Sequence, residues 1–104
     1  MIEDENEYPF RIGSDALREW VEILEYIARD RPSAAESLGK KMEEVWGLLK
    51  RNPFLGKSVT EEELLPFGYR YLGVRGYLIF YTFEEGLVFV HRILHGARDR
   101  KPPG

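Results

Sequence analysis

The residues best suited to acid–base chemistry lie near the end of the chain, in Arg92-Ile93-Leu94-His95-Gly96-Ala97-Arg98-Asp99-Arg100-Lys101. A histidine changes charge near neutral pH, and His95 stands among several fixed cations. Cleavage of RNA through its own 2′-hydroxyl needs a base, an acid and cations that steady the phosphate charge. His95 and Arg98, with Arg70 from further back, are the candidate catalytic residues for such a reaction. The same stretch also reads as a solvated tail with one histidine capping a sheet.

Other chemistries find less material. His91 and His95 have an H-x-x-x-H spacing, but on a strand residues four apart lie roughly 13 Å from each other, too far to share an ion. The chain has no cysteine, which removes thiol catalysis and thiolate metal sites. Neither G-x-G-x-x-G nor the Walker spacing occurs. Neither a metal nor a cofactor is expected.

These residues need a scaffold, and 104 residues suggest one domain. A charged share of 32% does not signal disorder, because 43% of the chain is hydrophobic and 13% aromatic. Glu3, Asp4, Glu5 and Glu7 are the opposite of a basic signal-peptide start. The longest apolar run, Tyr77 to Phe83, is far short of a bilayer span. A soluble, cytoplasmic protein with no membrane partner is expected. Its formal net charge of -3 divides unevenly: residues 1–68 hold 9 basic and 15 acidic side chains, and residues 69–104 hold 6 and 3. Either the acidic helices are simply well solvated, or a basic C-terminal face meets an anionic partner.

Residues 1–7 read as a flexible acidic arm, residues 8–99 as the domain and residues 100–104 as a basic, Pro-rich tail. Tyr8–Ile12 has strand character, and Ser14 or Asp15 is placed to cap a helix from Ala16 to about Asp30. In it Leu17, Trp20, Val21, Leu24, Ile27 and Ala28 form the apolar stripe, with Glu19, Glu22, Glu25 and Arg29 on the other side. Pro32 breaks that helix and suits the first position of the next, where Ser33-x-x-Glu36 has the spacing of a capping box. Leu38, Met42, Val45, Trp46 and Leu49 form the second stripe. Gly39 and Gly47 within it are explained by a close crossing of the two helices, the favoured reading, or by simple tolerance. After a connector, Tyr69–Val74, Tyr77–Phe83 and Leu87–Leu94 read as strands joined by hairpin turns at Arg75-Gly76 and Glu84-Glu85-Gly86. The expected fold is α+β, β-α-α-β-β-β, a helix hairpin packed on a small, mostly antiparallel sheet.

Alternation along the strands puts Tyr77, Ile79, Tyr81 and Phe83 on one face and Leu78, Phe80 and Thr82 on the other. It also divides Leu87, Phe89, His91 and Ile93 from Val88, Val90, Arg92 and Leu94. Both faces are apolar, whereas a helix hairpin covers only one. The second face is covered by the connector and arm, or it is a groove for a partner, and the groove is the favoured reading. Tyr77, Ile79, Tyr81, Arg92, His95 and Arg98 are the expected partner-binding residues.

Several segments in order carry a family pattern: Leu17-Arg18-Glu19-Trp20, Tyr26 to Ala35, Asn52-Pro53-Phe54-Leu55-Gly56, Tyr77-Leu78-Ile79-Phe80-Tyr81 and Arg92 to Asp99. Together they resemble the RelE/ParE toxin superfamily of type II toxin–antitoxin systems, from about Tyr8 to Asp99. The resemblance implies the same β-α-α-β-β-β fold and a cognate antitoxin protein as partner. RelE-like members cleave mRNA on the ribosome, and ParE-like members poison DNA gyrase. The central strand of RelE-like chains carries a catalytic arginine where this chain has Leu78. The RelE-like C-terminal tyrosine has no counterpart in Lys101-Pro102-Pro103-Gly104. Arg98 matches a second RelE-like arginine loosely, and Arg70 falls where those chains carry a lysine. Leu78 and the Arg92–Asp99 ending are ParE-like, which implies a non-enzymatic gyrase inhibitor. A metal-independent ribosome-dependent endoribonuclease is the alternative, and a degenerate member that only binds antitoxin is a third reading.

Overall fold

The order of elements follows the hydrophobic periods. In the computed structural model, which describes residues 7–96, β1 is Phe10–Ile12, α1 Ser14–Asp30 and α2 Pro32–Arg51. A short β2 at Lys57–Ser58 follows, then a 3-10 turn at Leu65–Phe67, β3 at Arg70–Val74, β4 at Tyr77–Glu84 and β5 at Leu87–His95. The strands form one sheet in the order β1-β5-β4-β3-β2, antiparallel throughout except for the parallel pair of β1 and β5. The α+β, β-α-α-β-β-β plan holds. β2 is an addition to it: two exposed polar residues leave no strand pattern in the sequence.

Arg31 alone links the helices, ending α1 through its N–H on the Ile27 carbonyl and opening α2 as the residue before Pro32. Proline needs no N–H at a first helical position, so one residue suffices to reverse the chain. The expected side-chain caps do not form at either helix. At α1 the cap is Gly13, which is still part of the strand layer, with its N–H on the Val90 carbonyl at 2.9 Å. A Cβ there would stand 2.8 Å from the Phe89 ring. Asp15 instead pairs with Arg18 at 3.1 Å.

The core lies between the hairpin and one sheet face. Ala16, Met42, Val45 and Leu49 meet Val74, Ile79, Tyr81, Val88, Val90 and Ile93 there, with Trp20, Ile23 and Trp46 at its margin. Removing these apolar side chains from water supplies most of the drive to fold, at about 25 cal/mol per Å². The stripe of α1 is thus partly displaced: Ala16 is its one fully buried residue, while Leu17 and Val21 are exposed. The glycines of α2 do not serve a close crossing either. Nothing lies within 4 Å of a Cβ built on Gly39, and Gly47 meets only the Arg51 side chain.

Both hairpins turn through two residues at positive φ, Arg75 (50°) with Gly76 (88°) and Glu85 (52°) with Gly86 (77°). That is the pattern of the tight turn whose twist matches the strands. Glu84 therefore belongs to β4, opposite Leu87.

Candidate functional site

One residue decides which side chains share a face. Tyr81 pairs with Val90 and Phe80 with Arg92, so His91 is left over as a bulge in β5. Simple alternation therefore fails across it. Val88, Val90 and Ile93 all face the helices, while Phe89, His91 and Leu94 lie on the side away from them. β4 keeps the expected division, with Ile79 and Tyr81 inward and Leu78, Phe80 and Thr82 outward.

Among the described residues no helix covers the outward face. Across it Phe89 pairs with Thr82, Phe80 with Tyr71, and Leu78 with Leu94 and Gly73, while the Tyr69 and His91 rings meet at 5.2 Å. Phe80 is 3% exposed because its neighbours crowd it, whereas Tyr69, Tyr71, Leu78, Phe89 and Leu94 are half-buried. The connector does not close this face, since Leu65 and Phe67 remain exposed. Tyr8, ahead of β1, lies elsewhere, its N–H bonded to the Lys50 carbonyl and its ring edge-on to Phe83 at 4.9 Å. An apolar aromatic face of this kind is unusual on a monomer and suits a partner.

His91 is the polar centre of the face. Its Nε2 lies 2.9 Å from the Thr82 hydroxyl, and its ring meets Phe89 at 4.8 Å and Tyr69 at 5.2 Å between centroids. Burial among these rings lowers its pKa, and the Glu84 carboxylate acts in the opposite sense.

The residues expected to bind a partner are mostly on the other side. Ile79 and Tyr81 are 0% exposed beneath the helices, so they are core residues and not surface ones. Alternation correctly made them neighbours but could not say which face the hairpin covers. Tyr77 packs against the margin of the core, edge-on to His95 at 5.3 Å. Arg92 turns toward α1, where its Nε donates to Glu19 Oε2 at 2.7 Å, and the other Glu19 oxygen accepts the Ile93 N–H at 2.9 Å. β1 ends opposite Val90, and Glu19 supplies the acceptor that a longer β1 would have given Ile93. Glu19 is thus not on a solvated side of α1. The signal for this was its place beside Trp20, between Ala16 and Ile23, on the border of the buried stripe.

The RNA-cleavage candidates do not converge. Arg70 lies opposite Tyr81 on one flank of β4, and His95 lies opposite Tyr77 on its other flank. Four residues of strand alone separate those rows by roughly 13 Å. Arg70 is also occupied, donating to the Gly56 carbonyl at 2.7 Å with its guanidinium 5.0 Å from the centre of the Phe54 ring. Arg98 lies outside the described residues. Among the described residues no cluster of three or more metal-ligand side chains occurs.

Tyr81 serves a structural purpose that its sequence position did not announce. Its hydroxyl donates to the Pro53 carbonyl and accepts the Gly56 N–H, both at 2.8 Å. Burial raises its pKa, against the lowering effects of the Gly56 bond and the Arg70 charge.

A helix hairpin on one face of a sheet ordered β1-β5-β4-β3-β2, with its other face left open, defines a small α+β domain of the RelE/ParE kind. Residues 10–100 match the family model of the ParE toxin of type II toxin–antitoxin systems, parDE, and the chain belongs to that family. Its fold is similar to one in the chromosomal ParDE toxin–antitoxin system of P. aeruginosa, at 15% identity and a TM-score of 0.69, over 86% of this chain and 97% of that one. It is also similar to one in the RelBE2 toxin–antitoxin complex of Mycobacterium tuberculosis, at 22% identity and a TM-score of 0.60, over 86% and 91%. A direct sequence comparison with curated proteins finds no match.

Proposed function

We propose that this chain is a ParE-like toxin that inhibits DNA gyrase and is neutralised by a cognate antitoxin protein seated on the open face of its sheet. The observation that carries the partner is that face, where aromatic and aliphatic side chains line three strands with no helix over them among the described residues. Membership of the ParE toxin family supports the toxin reading, and both similar folds come from toxin–antitoxin systems.

The choice of gyrase over mRNA rests on Leu78. It lies on the open face opposite Leu94 and Gly73, where RelE-like chains carry a catalytic arginine. An aliphatic side chain there offers no charge to a phosphate. The separation of Arg70 from His95 weighs the same way.

A supercoiling assay with purified gyrase tests the reading. Added chain is expected to block supercoiling, and pre-mixing with the protein encoded beside it to restore the activity. Unchanged supercoiling at excess chain, together with codon-positioned mRNA cuts in a translation reaction, would replace gyrase by the ribosome as target.

A further inference from the structure

Where α2 ends, the chain turns through Asn52-Pro53-Phe54-Leu55-Gly56 and treats its apolar residues unequally. Pro53 and Gly56 are buried, while Phe54 and Leu55 between them stay 60% and 43% exposed. The exposure is built in. Besides the bonds from Tyr81 and Arg70, the Asn52 side-chain oxygen accepts the Phe54 N–H at 3.2 Å. Gly56 presses so close to β3 that a Cβ would stand 2.6 Å from the Tyr71 carbonyl oxygen. Phe54 meets the Phe83 ring edge-on at 5.4 Å, and Phe83 in turn meets the exposed Tyr8. A large aromatic held on a fixed turn loses little freedom on docking, which is what favours such residues as interface anchors.

Charge around this corner runs against that of residues 1–68, in which it lies. The formal net charge is -3, yet residues 45–60 contain Lys50, Arg51 and Lys57 and no acidic residue. Arg70 adds a further cation beside Phe54. The described counter-charge is Glu7, 3.7 Å from Arg51. A second copy of the chain docking symmetrically here would set two basic corners against each other, which like-charge repulsion opposes.

We infer that this corner is a second docking site, separate from the open sheet face, and that it takes an acidic segment of the antitoxin. One large apolar side chain of that segment packs beside Phe54, and its carboxylates meet the surrounding lysine and arginine groups. The inference rests on the reading of the chain as an antitoxin-neutralised toxin.

Calorimetric titration with the protein encoded beside the chain tests it. Variants are Phe54→Ser, the pair Arg51→Gln with Lys57→Glu, and Tyr26→Ser, an exposed aromatic of α1, as control. Phe54→Ser and the charge pair are each expected to weaken binding about tenfold or more. The charge pair should also flatten its salt dependence, and Tyr26→Ser should leave affinity unchanged. Thermal melts establish that each variant is folded, and the charge pair, altered only at exposed side chains, stands if Phe54→Ser is not. Wild-type affinity in both variants would overturn the corner and leave the toxin reading intact. No binding by the unaltered chain would overturn both.

Discussion

His91 shows how one side chain can govern both register and chemistry. As the bulged residue it moves Ile93 under the helices and puts Leu94 on the open face. Nothing in the pattern Leu87 to Leu94 marks that slip, because both faces are apolar and either phase looks acceptable. The same residue gives a prediction with a definite sign. Its folded pKa is lowered from 6.5 by burial, so below that value the unfolded chain binds more protons than the folded one. The stabilising contribution is complete above pH 6.5 and is lost as pH falls through the folded pKa. Urea midpoints measured from about pH 7.5 down to about pH 5 should fall, and His91→Gln should fall less steeply. Parallel curves for the two proteins would contradict this.

Among the elements, those with a strong local period were legible: two helical stripes, three strands and a break at Pro32. The misreadings have separate physical causes. β2 is short and polar, and Glu19 is recruited because β1 stops before Ile93. A two-helix hairpin does not require small residues at Gly39 and Gly47. Since Gly39 faces open space, Gly39→Ala should raise stability by about 1 kcal/mol through helix propensity and a less flexible unfolded chain. Gly56→Ala should lower it by about 1–3 kcal/mol, because the added carbon meets the Tyr71 backbone. Urea unfolding of the two variants measures both signs. A destabilised Gly39→Ala would restore the close-crossing reading.

For the molecule as a whole, the excess of apolar sheet surface is legible in the sequence, but not the side that carries it. Alternation groups Tyr77, Ile79 and Tyr81 without saying which way they point. The helices claim that face through Met42, Val45 and Leu49, and the surface left over is Tyr69, Tyr71, Leu78, Phe89, His91 and Leu94. The described charge also departs from a simple acidic half and basic half, since the α2 end is itself basic. No helix among the described residues is long and apolar enough to cross a membrane. Under the proposed function a partner protein covers the open face. Hydroxyl-radical footprinting of the chain, alone and with the protein encoded beside it, reads that cover residue by residue. Protection of Tyr69, Tyr71, Leu78, Phe89 and Leu94 is expected in the complex, with Tyr26 on α1 labelled equally in both. Equal labelling of the open face in a complex that protects other residues would contradict it.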